Sequence, residues 1–388
     1  MLRRLAPFVL LAATALAQDR VTIGFEVSVP AETDPSATVC LSGSLEETGS
    51  WRPDAVPLTQ RDGRWVGVVS VPRGAELQYK FTLGSWESVE KGSEGEELDN
   101  RQLVANRDDV VQATVARWRN PGGGRVTGDS ITGDLRVHER FRSSVLRNER
   151  RLLVWLPPGY DPRGSRIYPV LYMHDGQNLF DTRTGFGGME WNVDETADRL
   201  IRARRIRPLI IVGIDNTSAR IDEYTPSEDP EYGGGRADEY ARFLLEEVKP
   251  FIDRTYRTDA RREGMGVAGS SLGGLVSLYL CKTRPEAFSR CAAMSPSLWW
   301  DDRRLLRECA EDDSAWMGGK RFWIDVGTAE GGSSQVHVQN ARDLAGVFAE
   351  AGLVSGRDYT YYEDRGAGHN ERAWSARFER VLRFLYAR

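Results

Sequence analysis

Cysteine and histidine are scarce in this 388-residue chain, with four of each. Four cysteines, Cys40, Cys281, Cys291 and Cys309, fall short of a disulfide framework. Cys40 stands alone near the N-terminus, so any pair formed after export must come from the other three. No CxxC motif and no Cys/His cluster offers a metal site, and no cofactor is expected. A basic excess is missing too. Lys plus Arg number 52 against 57 Asp plus Glu, a net charge of −5. That balance argues against nucleic acid or an anionic membrane as the main partner, since both demand a basic face. Beyond the first twenty residues no apolar run approaches the ~20 residues of a membrane-spanning helix. No internal repeat is present.

The one long apolar run is N-terminal, in "MLRRLAPFVLLAATALAQDR". Arg3 and Arg4 precede an apolar stretch from Leu5 to Leu16, and Ala15-Leu16-Ala17 forms a small-x-small site before Gln18. This is the pattern of a secretory signal over residues 1–17, and no Cys follows the cleavage site to carry a lipid. The expectation is a protein exported to the periplasm or the medium. The rest is ordinary globular composition, 40% hydrophobic and 28% charged, with length enough for two domains. Eleven tryptophans are many for such a chain and call for binding as well as packing.

Two textures divide the sequence. Residues 19–118 consist of short alternating stretches, among them "VTIGFEVSVP", "RWVGVVSVP" and "LQYKFTL", separated by Gly, Pro, Asp and Asn. That spacing predicts an antiparallel β-sandwich. Residues 119–134, "RNPGGGRVTGDSITGD", read as a linker. From 135 to 388 apolar runs alternate with helical patterns. "LLVWLP", "YPVLYMH", "LIIVGID", "GMGVAGS", "CAAMSPS" and "RFWIDVG" look like strands buried on both faces. In "RADEYARFLLEEVKPFIDRTY", Tyr240, Leu244, Val248 and Phe251 line one side of a helix. Repeated βα units imply an α/β domain with a doubly wound, mainly parallel sheet.

At the junction of "GMGVAGS" and "LGGLVSLYLCKT", residues Gly269-Ser270-Ser271-Leu272-Gly273 satisfy G-x-S-x-G in a strand–turn–helix setting. Flanking glycines leave room for a sharp turn that exposes a serine, and the helix that follows points amides at a developing oxyanion. Ser271 is the candidate nucleophile; Ser270 fills the x position. A phosphate loop is disfavoured, because no G-x-x-x-x-G-K-[ST] is present. A serine hydroxyl needs a base held by a carboxylate. Of four histidines, His369 in "EDRGAGHNERAW" follows the last strand and precedes the last helix, the place of the base in Ser…acid…His chain order. His138 and His337 read as surface residues. The acid is expected after "RFWIDVG", where Glu330 emerges on a glycine-rich turn; Asp325 inside the strand is the second choice, and Asp364 reads as a solvated charge. The second oxyanion donor is expected from "YMHDGQNLFD", through the backbone amide of Gln177 beside that of Leu272. His174 and Asp175 in that loop read as braces rather than metal ligands.

With these residues in place, the second half resembles the esterase family of α/β-hydrolases that includes enterochelin esterases, feruloyl esterases, esterase D-like enzymes and mycolyltransferases. The resemblance spans about residues 135–388 and rests on "YPVLYMHDGQNLFD", "VGIDN…RIDEYTP", "GSSLGG", "MSPSLWW" and "GHNE", in that order. It implies Ser271 as nucleophile, Glu330 as acid and His369 as base. Family members often carry Asp where this chain has Glu330. The first half resembles the starch-binding modules of carbohydrate-binding module family 20, through "LSGSLEETGSWRPDAVPL", "YKFTLGSWES" and "NRQL". That likeness implies sugar stacking on Trp51 and Trp86, with polar contacts from Lys80, Glu87 and Asn100. An acidic insertion, "VEKGSEGEELD", departs from the pattern just before Asn100.

The expected function is an exported serine esterase acting through an acyl-enzyme on an acylated carbohydrate, feruloyl or siderophore-type ester. The expected partners are a small-molecule or glycan-linked ester and an α-glucan. Trp191, Trp299 and Trp300 are expected to border the cleft. Two other readings stay open at this point: acyl transfer to a sugar hydroxyl, and a glycan-binding protein with an inactive hydrolase domain.

Overall fold

The structure, a computed structural model, describes residues 19–30, 33, 37–61, 63–84, 86–93, 98–119 and 131–388. The signal segment 1–17 and most of the linker, residues 120–130, lie outside the described residues. The chain divides into two compact units, Met1–Gly123 and Gly124–Arg388.

The first unit is all β. Its strands are β1 (Arg20–Ser28), β2 (Cys40–Gly43), β3 (Val56–Pro57), β4 (Thr59–Arg61), β5 (Arg64–Pro72), β6 (Glu76–Thr82), β7 (Glu90–Lys91), β8 (Arg101–Val104), β9 (Asp109–Thr114) and β10 (Arg117–Trp118). Two four-stranded sheets form, β4-β5-β1-β9 and β3-β2-β6-β8, with a small β10-β7 pair beside them. Alternation decides the inner face. Val21, Ile23, Phe25 and Val27 of β1 are buried while their neighbours face outward. They pack on Leu77, Tyr79 and Phe81 of β6, and Phe25 meets Tyr79 edge-on at 5.2 Å.

The second unit is α/β. Its strands are β11 (Asp134–Arg142), β12 (Glu149–Leu156), β13 (Val170–His174), β14 (Ile210–Ile214), the short hairpin β15 (Glu228–Asp229) and β16 (Gly233–Gly234), then β17 (Met265–Ser270), β18 (Arg290–Met294), β19 (Arg321–Gly327) and β20 (Tyr359–Asp364). Eight of them form one sheet in the order β11-β12-β14-β13-β17-β18-β19-β20. Strands β11, β12 and β14 pair antiparallel, and from β14 to β20 every pairing is parallel. Every predicted apolar run is a strand of this sheet. The predicted helix over 236–256 forms in three parts, α3 (Ala237–Arg242), a π-helical stretch Phe243–Val248 and α4 (Lys249–Thr255). Pro250 lacks the N–H that would bond the Glu246 carbonyl, and a wider turn absorbs the loss. The other helices are α1 (Val193–Arg202), α2 (Arg220–Tyr224), α5 (Leu272–Thr283), α6 (Trp300–Glu311), α7 (Ser334–Glu350) and α8 (Glu371–Tyr386). Two apolar layers cover the faces of the sheet, one around Val212, Val267 and Leu275, the other around Ala268, Phe378 and Leu382.

All four cysteines are free and buried, so the pairing open to Cys281, Cys291 and Cys309 is not made. Among the described residues no helix is long and apolar enough to cross a membrane.

One buried acid makes stability depend on pH. Asp194 in α1 is 0% exposed, and burial, with Glu195 beside it, pushes its carboxyl up from 3.8 to about 8. The folded state therefore holds this proton more tightly than the unfolded chain. The stabilisation is complete below about pH 4 and is lost as pH rises through about 8. The unfolding free energy, measured by urea at pH 5 and pH 8, is expected to fall by more than about 1 kcal/mol at this site. Asp194→Asn should flatten that slope; an equal slope in the variant would reject the assignment.

Candidate active site

Strand order reverses around β13, which lies between β14 and β17. In an open α/β sheet such a reversal opens a crevice at the carboxyl ends of the strands. Ser271 stands there, immediately after β17 and at the head of α5, with φ 56° and ψ −124°. This left-handed conformation is strained for a residue with a Cβ. The glycines around it are sterically required. A Cβ on Gly269 would stand 2.7 Å from the Gly273 main chain, and one on Gly274 3.0 Å from the Met294 carbonyl. The turn is stitched to the loop after β18: the Ser271 amide donates to Met294 O at 3.0 Å, and the Ser297 amide donates to Ser271 O at 3.1 Å. Ser270 is 4% exposed.

Glu330 sits on the turn after β19 and His369 on the loop after β20. His369 Nδ1 and Glu330 Oε2 are 2.9 Å apart. The other carboxylate oxygen, Oε1, accepts from the Gly327 amide at 2.6 Å and from the Ser295 hydroxyl. Burial alone would raise the Glu330 carboxyl, but the bond and charge of His369, the Ser295 hydroxyl and the Gly327 amide outweigh it and hold it below its ordinary value. Glu330 is therefore an anion shaped for an imidazole. Asp325, the second choice, serves elsewhere. It is 0% exposed and pairs with Arg377 at 3.2 Å and with Trp323 Nε1 at 2.7 Å. Burial, only partly offset by Arg377, pushes it up to about 6. Asp364 faces Arg377 at 3.5 Å. Among the described residues His369 is not hydrogen-bonded to Ser271, whose Oγ lies 3.3 Å from Ser297 Oγ.

The loop after β13 supplies the remaining part. Asp175 adopts φ 57° and is locked by a two-pronged Arg220 guanidinium, at 2.7 and 2.8 Å, and by Asn216 Nδ2 at 2.6 Å. Burial would raise its carboxyl; Arg220 reverses the sign and holds it low. His174 is 1% exposed, and burial pushes it down to about 3, so it stays neutral against Tyr240 OH at 3.0 Å. Both residues brace the loop. A Cβ on Gly176 would fall 2.7 Å from the β14 backbone, so this glycine lets the loop lie close to the sheet. Among the described residues the amides of Gln177 and Leu272 have no hydrogen-bond acceptor. The Leu272 amide heads α5 directly after Ser271, and that of Gln177 lies on the turn after β13; free amides of this kind can meet an oxyanion.

Other placements differ from expectation. His337 is not an idle surface residue: on α7 its Nδ1 approaches Glu330 Oε2 at 3.8 Å, and its ring stands 6.3 Å from that of His369. Trp191, expected at the cleft, is 2% exposed and packs on Trp374 and Phe378 in the core. Trp300, also expected at the cleft, is 3% exposed in the core and donates to Ser227 O at 2.8 Å. Trp299 is half-buried and meets the exposed Tyr232 at 5.7 Å. Ser295 and Ser297 were missed; the "SPS" between strand and tryptophans was the only available signal.

In the first unit, Trp51 and Trp86 are half-buried with ring centres 6.3 Å apart and planes inclined at 45°. Asn100 Nδ2 donates to Gln78 at 3.1 Å. Lys80 is only 3% exposed and donates to Leu98 O at 2.5 Å, so it anchors the acidic insertion to β6 rather than standing open to a sugar. The Glu87 side chain lies outside the described residues.

Comparison with known proteins finds a family for each half of the chain. The family described as "Putative esterase" matches residues 143–385, and the family described as "Starch binding domain" matches residues 20–115. The ferri-bacillibactin esterase BesA of Bacillus subtilis is 30% identical over 274 residues, covering 64% of this chain and 88% of that protein. An α-amylase of Niallia circulans is 35% identical over 100 residues, covering 26% of this chain and 8% of that protein. The solved structure of the enterobactin esterase FES from Shigella flexneri, in the presence of enterobactin, covers 94% of this chain and 92% of its own, with a TM-score of 0.53 at 16% identity.

Proposed function

The chain belongs to the esterase family and is a carboxylic ester hydrolase carrying a starch-binding domain, and from that premise we propose that it works through an acyl-enzyme on Ser271. Ser271 Oγ attacks the ester carbonyl as His369 takes its proton, and the charge that forms on the carbonyl oxygen is met by the amides of Gln177 and Leu272. His369 then returns the proton to the departing alkoxide. Water, deprotonated by the same imidazole, releases the acid and regenerates the serine. Glu330 orients His369 and balances the imidazolium in both halves. The observation that carries this reading is the 2.9 Å Glu330–His369 pair on the sheet edge where Ser271 is held at φ 56°.

The substrate class we infer is an acylated carbohydrate, feruloyl or siderophore-type ester. Support comes from the Tyr232–Trp299 surface, two residues beyond Ser297, and from the relative named as a ferri-bacillibactin esterase. The pattern of residues 1–17 supports export. A panel of short-chain p-nitrophenyl, feruloyl and acetyl-sugar esters tests the reading; turnover of none of them would reject it.

The starch-binding domain is proposed to hold α-glucan through Trp51 and Trp86. An indole face covers the apolar face of a glucose ring, and two rings 6.3 Å apart can serve adjacent sugars. Adding maltooligosaccharide or β-cyclodextrin should shift tryptophan fluorescence, and Trp86→Ala should abolish the shift while ester hydrolysis is retained. No response from the wild type, together with no retention on insoluble starch, would reject glucan binding.

A further inference from the structure

The segment Met294–Ser297, from the end of β18 into the loop that follows it, touches the nucleophile and the acid together. Its main chain grips Ser271 from both sides, through Met294 O and the Ser297 amide. Its side chains reach Ser271 Oγ from Ser297 and Glu330 Oε1 from Ser295. The direction of the Ser295 bond is forced. Ser295 Oγ accepts from Trp374 Nε1 at 3.1 Å and from Arg377 Nη2 at 2.8 Å. A hydroxyl has one hydrogen and two lone pairs. With both lone pairs occupied by donors, the hydrogen goes to the carboxylate. Arg377 is 1% exposed and positively charged, so it draws density from the serine oxygen and strengthens its O–H as a donor.

Ser295 is also held in an uncommon backbone state, φ 40°. Its amide keeps it there by donating to Asp325 O at 2.9 Å and Oδ1 at 3.2 Å. Strain of this kind persists where the surroundings over-determine a residue. Glu330 Oε2, in turn, has His337 Nδ1 at 3.8 Å as a competing neighbour of the His369 ring. Something must hold the carboxylate toward one imidazole.

We propose that Ser295 is a positioning residue for ester hydrolysis, orienting Glu330 toward His369 and tying that pair to Ser271 through its own loop. The inference rests on the assignment of Ser271, Glu330 and His369 made above. Arg377 and Trp374 act one step further out, by fixing the Ser295 hydroxyl, and Asp325 balances the Arg377 charge.

The test compares Ser295→Gly, Ser295→Cys and Ser271→Ala in the full chain, with kcat, KM and Tm for each. Glycine suits φ 40° and removes only the hydroxymethyl group, while cysteine keeps the shape with a weaker donor. Ser295→Gly should lower kcat about 10- to 100-fold, the range for partners that orient a reacting group, with KM changed less than about twofold. Ser295→Cys should fall between wild type and glycine, and it carries the test alone if the glycine variant does not fold. A folded Ser295→Gly with unchanged kcat, a loss carried by KM rather than kcat, or a Ser295→Cys no more active than the glycine variant overturns the proposal. If Ser271→Ala remains active, the assignment of the site fails instead, whatever Ser295 does.

Discussion

Ser271→Ala is expected to reduce ester hydrolysis to background, a loss of at least about 10⁴-fold in kcat, with Tm within about 2 °C of the wild type. The catalytic loss follows from the proposed role of Ser271, held at the strand–helix turn with the free Leu272 amide directly after it. No other hydroxyl of this turn and its partner loop has that placement: Ser270 is 4% exposed at the end of β17, and Ser297 is 3% exposed. The small change in Tm follows from the backbone. Alanine keeps the Cβ, so the cost of φ 56° is unchanged, and the hydroxyl it removes makes, among the described residues, only the 3.3 Å approach to Ser297. Ser271→Gly provides the contrast. It should be equally inactive yet more stable, since glycine occupies a positive φ without penalty. A fluorophosphonate probe should label Ser271, and Ser270→Ala should label and hydrolyse much as the wild type does. An adduct mapped to Ser270, or an active Ser271→Ala, would remove the serine mechanism from this site.

Legibility in the sequence tracked how local each constraint was. The nucleophile turn was readable because its steric demands are met within four residues, Gly269 against Gly273. The six buried strands were readable because burial on both faces leaves an uninterrupted apolar run. Strand β11 was not: as an edge strand with most residues exposed, Asp134–Arg142 has neither a run nor clean alternation. The acid and base could be placed at strand ends by chain order alone. What surrounds them could not. Ser295 meets Glu330 across 35 residues and Arg377 across 82, and its neighbours in sequence carry no trace of either bond. His337 looked like one more position on an amphipathic helix. Its approach to Glu330 depends on how the Gly331–Ser333 turn folds α7 back over the acid. Tryptophans misled for a related reason. An indole suits a core and a binding face equally, so only packing separates Trp191, under Trp374, from Trp299, beside Tyr232.

Glu330→Gln and Asp325→Asn should fail in opposite ways, and that contrast tests which carboxylate serves the histidine. Glu330→Gln is expected to cost about 10²- to 10⁴-fold in kcat with a small change in Tm. A neutral amide cannot balance an imidazolium, and its NH₂, if turned to His369 Nδ1, imposes the wrong tautomer. Its oxygen can still accept from Gly327 and Ser295, so the turn stays anchored. Asp325→Asn should instead lower stability by about 1–3 kcal/mol while the surviving folded enzyme turns over substrate at a rate near the wild type's. Among the described residues the groups that contact the Asp325 carboxylate directly are donors: Arg377 at 3.2 Å, Trp323 Nε1 at 2.7 Å and the Ser295 amide at 3.2 Å. An asparagine must point its own NH₂ at one of them, leaving two buried donors face to face. The charge states agree with this division. Glu330 is held below its ordinary value by His369, Ser295 and Gly327, whereas Asp325, pushed up to about 6, is a poor permanent counter-ion for an imidazolium. Chemical unfolding and steady-state kinetics on the two variants separate the effects. If Asp325→Asn proves folded and inactive while Glu330→Gln keeps its rate, the histidine takes its charge from β19 itself, and the 2.9 Å Glu330–His369 pair is structural.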